Sequence, residues 1–312
     1  MANMRAIRTR IKSVESTRQI TKSMKMVAAS KLRRTQDSMA ALRPFAETSR
    51  RMLAHVAATA SGAECPLLVP HEGERICYVL FVGNRGLCGM YNSALVKYLE
   101  ELAKGKDCFL VVSGRWGREV IAASGIPVKK TFDAASDTPD SAEARELAGY
   151  LRELYLGGEA DKVVLVYEHY KSALAQVPVN LQLLPVVAGE ADETAGDYIF
   201  EPDAEELLDR LAQLYLDSTM LSVLLEAKTG EHTARMTAMT SATDNTDELL
   251  DELRLRLKDA GVHVVDIHEL KELAERITGT PAPLPPAGRT IANVMRRDGG
   301  ILDTIGLRKE EA

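Results

Sequence analysis

The sequence predicts a mixed α/β protein in which a long antiparallel coiled coil carries an inserted α/β domain. Three observations predict this class. Residues 1–60 have the pattern of a basic amphipathic helix, and residues 203–260 have the pattern of an acidic one. Between about residues 73 and 200, short apolar runs alternate with helical patterns, which is typical of an α/β layer.

The amino-terminal helix is strongly basic. Residues 1–34 contain ten Lys or Arg and one acidic residue, Glu15, although the whole chain has a formal charge of −6. Apolar residues recur at the spacing of one helix face: Met4, Ile7, Ile11 and Val14. This charge is compatible with a solvated face, a transit peptide or a nucleic-acid-binding arm. The last alternative lacks a stacking platform, because no aromatic residue precedes Leu42.

The carboxy-terminal helix has the opposite charge. Residues 201–259 contain 14 acidic and 6 basic residues, and their Leu and Met follow near-heptad spacing without an interrupting proline between 205 and 260. At about 1.5 Å per residue this helix would span roughly 80 Å. Two oppositely charged amphipathic helices predict an antiparallel pair. Its seam has four weak points: Ser218, Lys228, His232 and Thr246.

The middle of the chain predicts the α/β domain. Buried strands are expected at residues 75–83, 108–114 and 162–170, because each is a nearly continuous apolar run. Helices are expected in the segment after the first strand, in the stretch that ends near Ala123, and from Ser141, as a possible N-cap, to Gly157-Gly158. The segment VPVNLQLLPVV adds extended chain, which Pro178 and Pro185 restrict to sheet edges or ends.

The turn after the first strand contains Gly83, Gly86 and Gly89. This GxxGxxG spacing matches neither the dinucleotide fingerprint nor the phosphate loop, so we interpret it as a sharp strand-to-helix turn. A nucleotide-dependent enzyme that uses this turn stays a third alternative. Glu168 and His169 are interpreted as polar residues at a strand end. The sequence contains no HExxH, CxxC or GxSxG motif, so we predict no catalytic, cofactor or metal site.

Three ordered motifs resemble signatures of the gamma subunit of the F-type ATP synthase. They are ITKSMKMVAASKLRR at residues 20–34, RGLCG at residues 85–89, and GEHTARMTAMTSATDN at residues 230–245. The resemblance covers about residues 4–255. Signature positions of particular interest are Arg85, Gly86, Cys88, Gly89, Asn92, Arg235, Met236, Asp244 and Asn245.

The resemblance implies a central rotor shaft that performs no bond chemistry and needs no cofactor. It implies a Rossmann-like inserted domain, a coiled coil that turns inside a ring of alpha and beta subunits, and a base that contacts the c-ring and the epsilon subunit. Rotation would couple proton flow to ATP synthesis or hydrolysis. The expected location is the cytoplasmic side of a bacterial membrane, held there only through the complex. Nucleic acid is not an expected partner.

The resemblance also suggests which residues contact partners. Positive side chains of the first helix are expected to face acidic surfaces of the beta subunit or c-ring, together with a methionine: Lys22, Met24, Lys25, Lys31, Arg33 and Arg34. The segment YIFEPD is expected to lie at the base, near the c-ring and the epsilon subunit, through Tyr198, Glu201 and Asp203.

The end of the chain departs from the family pattern after about Leu255. Gly261 should end the long helix, and Asp266 to about Ile277 resembles a short helix. Four prolines between residues 281 and 286 predict a stiff linker within an atypical tail, residues 261–312. A divergent shaft tip, an added docking or regulatory segment, and an altered reading frame all stay open as explanations.

Overall fold

A computed structural model describes residues 2–59, 65–116, 121–122, 124–133, 135–170, 172, 176–187 and 203–259. The chain divides into two compact units. One unit comprises residues 17–245, and the other comprises residues 1–16 with residues 246–312, of which 2–16 and 246–259 are described. The described elements are, in chain order, α1 (Ala2–Thr59), β1 (Ile76–Phe81), α2 (Tyr91–Ala103), β2 (Cys108–Ser113), β3 (Val128–Phe132), α3 (Ser141–Leu156), β4 (Lys162–Tyr170), β5 (Gln176–Leu184) and α4 (Ala204–Asp259).

The five described strands form one sheet in the order β3-β2-β1-β4-β5. The first four are parallel, with Val79 of β1 opposite Val111 of β2 and Leu165 of β4. Strand β5 runs antiparallel to β4 and closes one edge. The central strands are continuous apolar runs because helices cover both faces of a parallel sheet.

The two faces of the sheet pack against different helices. On one face, Cys77, Val79 and Phe81 of β1 join a buried cluster with α3, the end of α1 and the first part of α4. On the other face, Tyr78 and Leu80 join a cluster dominated by α2. The alternation follows from the two-residue period of a strand.

The predicted strands β1, β2 and β4 and the edge position of β5 are confirmed. Strand β3 was not predicted, because VKKTF is largely exposed and has no apolar alternation. The N-cap of α3 is Asp140 rather than Ser141. Asp140 accepts hydrogen bonds from two backbone N–H groups, and Glu143 completes a capping box.

Within residues 17–245, helices α1 and α4 run antiparallel, as predicted. Thr21 lies beside Thr243 (Oγ1 to Oγ1 2.9 Å), and Met39 lies beside Thr229 (Sδ to Oγ1 3.1 Å), so residue numbers rise along one helix as they fall along the other. Between residues 17 and 48, the buried positions of α1 follow heptad-like intervals: Thr21, Ala28, Leu32 and Thr35.

The second unit contains the start of α1 and the end of α4. Leu250, Leu253 and Leu257 are buried at helical spacing, and Glu15 lies 3.6 Å from Arg254. The predicted domain limits at residues 60, 73, 200, 203 and 260 stay a prediction. The expected features of residues 261–312 lie outside the described residues.

Candidate functional site

The candidate site lies outside the carboxyl ends of β1 and β4. Strand β1 has β2 on one side and β4 on the other, so the connections leave the centre of the sheet in opposite directions. In doubly wound sheets the crevice at such a switch point is where ligands usually bind. In this protein, helix α4 lies across it.

Close backbone approach brings α4 into this crevice. A Cβ atom on Gly83 would lie 3.0 Å from Glu231 Oε1, and one on Gly230 would lie 3.4 Å from both Glu168 and Tyr91. The Tyr91 hydroxyl donates to the Ala227 carbonyl at 3.0 Å. The absence of a side chain at Gly83 therefore makes room for α4. This supports the interpretation of the glycine turn as structural. Helix α4 occupies the space at the strand ends.

A buried ionic triad fixes the same region of α4. Glu231 lies 2.8 Å from Lys228 Nζ and 2.8 Å from Arg235 Nη2. Burial acts to raise the pKa of Glu231, but the two cations outweigh it, so the pKa is lowered. Arg235 also donates towards the carbonyls of Arg85 and Gly86, at 3.5 and 3.4 Å. The triad thus ties α4 to the loop after β1.

The end of β4 contributes a second polar group. Glu226 of α4 pairs with His169 and accepts a hydrogen bond from the Tyr170 backbone N–H at 3.1 Å. Burial raises the pKa of Glu226, opposed by His169. Tyr170 in turn accepts a hydrogen bond from Gln36 of α1 at 2.9 Å. Both long helices are therefore attached to the same strand end.

Glu168 is the buried acid of the site. Its side chain faces Gly230, it is 5% exposed, and its Oε2 atom has no hydrogen-bond partner among the described residues. Burial raises its pKa to about 7. The side chain therefore changes charge near neutral pH while it packs against α4.

A cavity of about 630 Å³ opens beside the triad. Its walls come from α1, the loops at residues 84–87 and 135–137, and α4. Asp137 connects the 135–137 loop to both long helices. Its carboxylate pairs with Lys31 at 2.6 Å, and its carbonyl lies 3.2 Å from His232 Nε2. Burial lowers the pKa of His232, so the neutral imidazole is favoured.

The structure brings several predicted residues together here. Met24, Lys31, Arg85, Gly86 and Arg235 line the cavity. Cys88 and Asn92 lie behind the loop, where the Asn92 amide donates to the Cys88 sulfur at 3.2 Å. Gly89 has a φ of +58°, a left-handed conformation that favours glycine.

Other predicted residues lie elsewhere. Lys22, Arg33 and Arg34 are exposed on α1, Lys25 is half-buried there, Met236 is half-buried on α4, and Asp244 and Asn245 are exposed further along α4. Asp203 caps α4, since its carboxylate accepts from the Glu206 N–H at 2.8 Å. Tyr198 and Glu201 lie outside the described residues.

Sequence reasoning missed the acidic members of the site: Asp137, Glu226 and Glu231. A signal was present in α4, where Lys228 and His232 break the apolar seam. Both are buried, at 8% and 2% exposure, against the α/β domain. Polar residues that interrupt a heptad pattern indicated the docking surface of this helix.

Among the residues that the structure describes, no group of three or more His, Cys, Asp or Glu side chains could hold a metal ion. Across the described helices, none has a segment both long and apolar enough to cross a membrane.

Comparison with known proteins gives a consistent result. The model of the ATP synthase family matches residues 3–261. The ATP synthase gamma chain of Desulforamulus reducens is 40% identical over 286 residues, and that of Heliobacterium modesticaldum is 39% identical over 292. Each alignment covers 90% of this chain and 99% of the relative. An alignment covering 90% of 312 residues cannot end at residue 255, so the similarity extends further than the motifs indicated.

Solved structures share the fold. The central stalk and c-ring structure of the Tetrahymena thermophila mitochondrial ATP synthase contains a chain that is 26% identical, with a TM-score of 0.54, covering 72% of this chain and 99% of that one. The rotor of the Euglena gracilis enzyme gives a TM-score of 0.61 at 19% identity, covering 83% and 97%, which supports the fold alone. None of these comparisons supports the nucleic-acid alternative.

A second family model, that of the citrate lyase alpha subunit, matches residues 240–307. Of these residues the structure describes 240–259. The match includes most of the stretch after about residue 255, in which the sequence motifs depart from the gamma-subunit pattern. It covers less than a quarter of the chain and assigns no activity to it.

Proposed function

The chain belongs to the ATP synthase gamma chain family, and on that premise we propose that it acts as a non-catalytic shaft that transmits torque. Helices α1 and α4 would turn within a ring of alpha and beta subunits, and the α/β domain would meet the c-ring and the epsilon subunit. We propose the cytoplasmic side of a bacterial membrane as its location. Rotation would bias the conformations of the ring by making different contacts at each angle.

The observation that carries this proposal is the attachment of both long helices to the α/β domain by polar side-chain contacts. A shaft must pass torque from its base to its helices without slipping. Glu226 and Arg235 attach α4 to the domain, and Gln36 and Lys31 attach α1. Directional contacts of this kind resist sliding better than an apolar seam, whose side chains can exchange partners by one turn.

The basic face of α1 supports the proposed contact with acidic partner surfaces. Lys22, Lys25, Arg33 and Arg34 have no acidic partner in the part of the chain that the structure describes. Lys31 differs, because it is paired with Asp137 and lines the cavity. We therefore assign the partner contacts to the first four residues and give Lys31 an internal role.

Co-expression with bacterial alpha and beta subunits, followed by gel filtration and an ATPase assay, tests the proposal. The double charge reversal Lys22→Glu/Lys25→Glu should change the ATPase rate and its salt dependence. Each lost contact is worth at most about 1 kcal/mol, or about a fivefold change in rate. Arg50→Glu/Arg51→Glu is a matched control, since both side chains are exposed on the same helix.

Co-elution with ATPase activity, together with a rate change confined to the Lys22/Lys25 variant, would support the shaft and its contacts. Equal rates for the two double variants would remove the contact assignment. Failure of the unaltered chain to assemble would count against the shaft itself. Replacing residues 256–312 by a gamma-chain end would then show whether the tail prevents assembly.

A further inference from the structure

We propose that the cavity between helix α1, the 84–87 loop and helix α4 binds a compact oxyanion of the phosphate class. Such a site lies within this chain, and binding there does not depend on rotation. Its volume, about 630 Å³, lies within the range of roughly 300–1,000 Å³ that is usual for small-molecule sites. It also adjoins the 84–87 loop, which follows β1.

The lining of the cavity is positively charged. Four cationic side chains, Lys31, Arg85, Lys228 and Arg235, face two carboxylates, Asp137 and Glu231. This leaves a surplus of two positive charges before His232 is counted. A concave wall with surplus charge of one sign concentrates the opposite ion.

The cations retain free donors. Arg235 uses only its Nη2 atom for hydrogen bonds within the described part of the chain. Arg85 has no side-chain partner among the described residues, although its carbonyl accepts from Arg235. A guanidinium group has five N–H donors in a planar fork that suits phosphate oxygens.

His232 gives independent support. Its side chain is 2% exposed and lines the cavity, and its Nδ1 atom has no hydrogen-bond partner among the described residues. Buried polar atoms in proteins normally have a partner. In the free chain the neutral imidazole donates from Nε2 to the Asp137 carbonyl, so Nδ1 is an acceptor without a partner in the described part of the chain. An entering phosphate anion favours the imidazolium form, which then donates from Nδ1 to a phosphate oxygen while Nε2 keeps its contact.

The shape of the site favours a compact ion over an acidic peptide. Four separate chain segments surround the cavity, and the paired groups Lys31–Asp137 and Glu231–Arg235 restrict its walls. Arg85, Arg235 and His232 all line the cavity, and a phosphate group has enough oxygens to accept hydrogen bonds from several donors. A peptide carboxylate has two oxygens and brings a backbone that also needs space.

Titration calorimetry of the purified full-length chain with inorganic phosphate at low salt tests the site. Phosphate up to about 10 mM reveals any site with a Kd near 1 mM. We expect saturable binding that weakens about tenfold or more in Arg85→Ala, through the loss of a charge-assisted contact. Arg50→Ala is the matched control and should bind like the unaltered chain. Arg85 is exposed, and its side chain has no partner among the described residues, so its removal should leave the fold intact, which circular dichroism can verify.

Two further measurements separate the alternatives. NMR of labelled histidine should show the pKa of His232 rising when phosphate binds, because an anion favours the imidazolium form. Titration with ADP distinguishes free phosphate from phosphate carried on a nucleotide, and either source supports the site. Absence of saturable binding, or equal binding by Arg85→Ala, overturns the proposal. So does Arg85-dependent binding of a glutamate-rich peptide that phosphate cannot displace.

Discussion

Helix α4 meets the α/β domain through two consecutive stretches of opposite character. Between Leu208 and Leu225 the buried positions are almost all apolar, and most of them join the core beneath the sheet. Between Glu226 and Arg235 the buried positions are mostly charged or polar. The first stretch stabilises the contact in proportion to buried area, at about 25 cal/mol per Å². The second stretch fixes the register of the helix, because Glu226 pairs with His169 of β4 and Arg235 donates to the carbonyls of the loop after β1.

The comparison predicts that the polar stretch is the more sensitive one. Replacing Glu231 by Gln removes the shared partner of Lys228 and Arg235 while both stay buried. Breaking a buried ion pair in this way costs about 3–5 kcal/mol. We expect urea unfolding of the full chain to show that the free energy of unfolding falls by this amount. The triple variant Lys228→Met/Glu231→Leu/Arg235→Met should recover most of it, since no unpaired charge remains.

If Glu231→Gln unfolds like the unaltered chain, the triad does not hold α4 in place. If the apolar triple variant is as unstable as the single one, packing rather than charge is responsible. Either result would remove the distinction between the two stretches.

Truncating one buried side chain in the apolar stretch should lower the free energy of unfolding by a comparable or smaller amount. Leu216 is 2% exposed within the core beneath the sheet. Leu216→Ala removes buried methyl groups and leaves a cavity, at a cost of about 2–5 kcal/mol. Leu214→Ala on the same helix is the control, because Leu214 is 39% exposed and should cost under about 1 kcal/mol. Equal midpoints of thermal unfolding for the two variants would contradict the burial of this face.

The same contrast explains which parts of the molecule the sequence could predict. Strand β1 was predictable because ICYVLF is apolar throughout, and the heptad spacing of α4 indicated a long helix. The polar site was not predictable as a unit, because its members come from separate segments: Asp137 from a loop, Glu168 from a strand, and Glu226 and Glu231 from α4. The heptad interruptions at Lys228 and His232 indicated only that α4 docks there. Spacing along the chain does not identify the partners that folding brings together. Strand β3 escaped prediction for a different reason, since VKKTF lies at an exposed sheet edge.

The smallest expected effect concerns Glu168. Its replacement should raise the free energy of unfolding, whereas the two preceding substitutions lower it. Glu168 packs against Gly230. The charged groups on the elements packed here are Glu226 and His169, which pair with each other, and Lys228, Glu231 and Arg235 of α4. Burial raises its pKa from the ordinary 4.5 to about 7. The folded state therefore disfavours its charge, so stability falls as pH rises from about 4.5 to 7, and the full penalty is present above pH 7.

Glu168→Gln keeps the shape of the neutral acid and cannot ionise, so it should stabilise the chain at pH 8 by about 1–3 kcal/mol. At pH 5 the gain should be clearly smaller, because most of the folded protein already carries a neutral Glu168. Thermal unfolding at both pH values measures the difference. Glu248→Gln, at an exposed position further along α4, is the control and should show no such dependence on pH. A gain that is equal at pH 5 and pH 8 would mean that Glu168 does not titrate in this range, and the strand-end contact with α4 would then be insensitive to protonation.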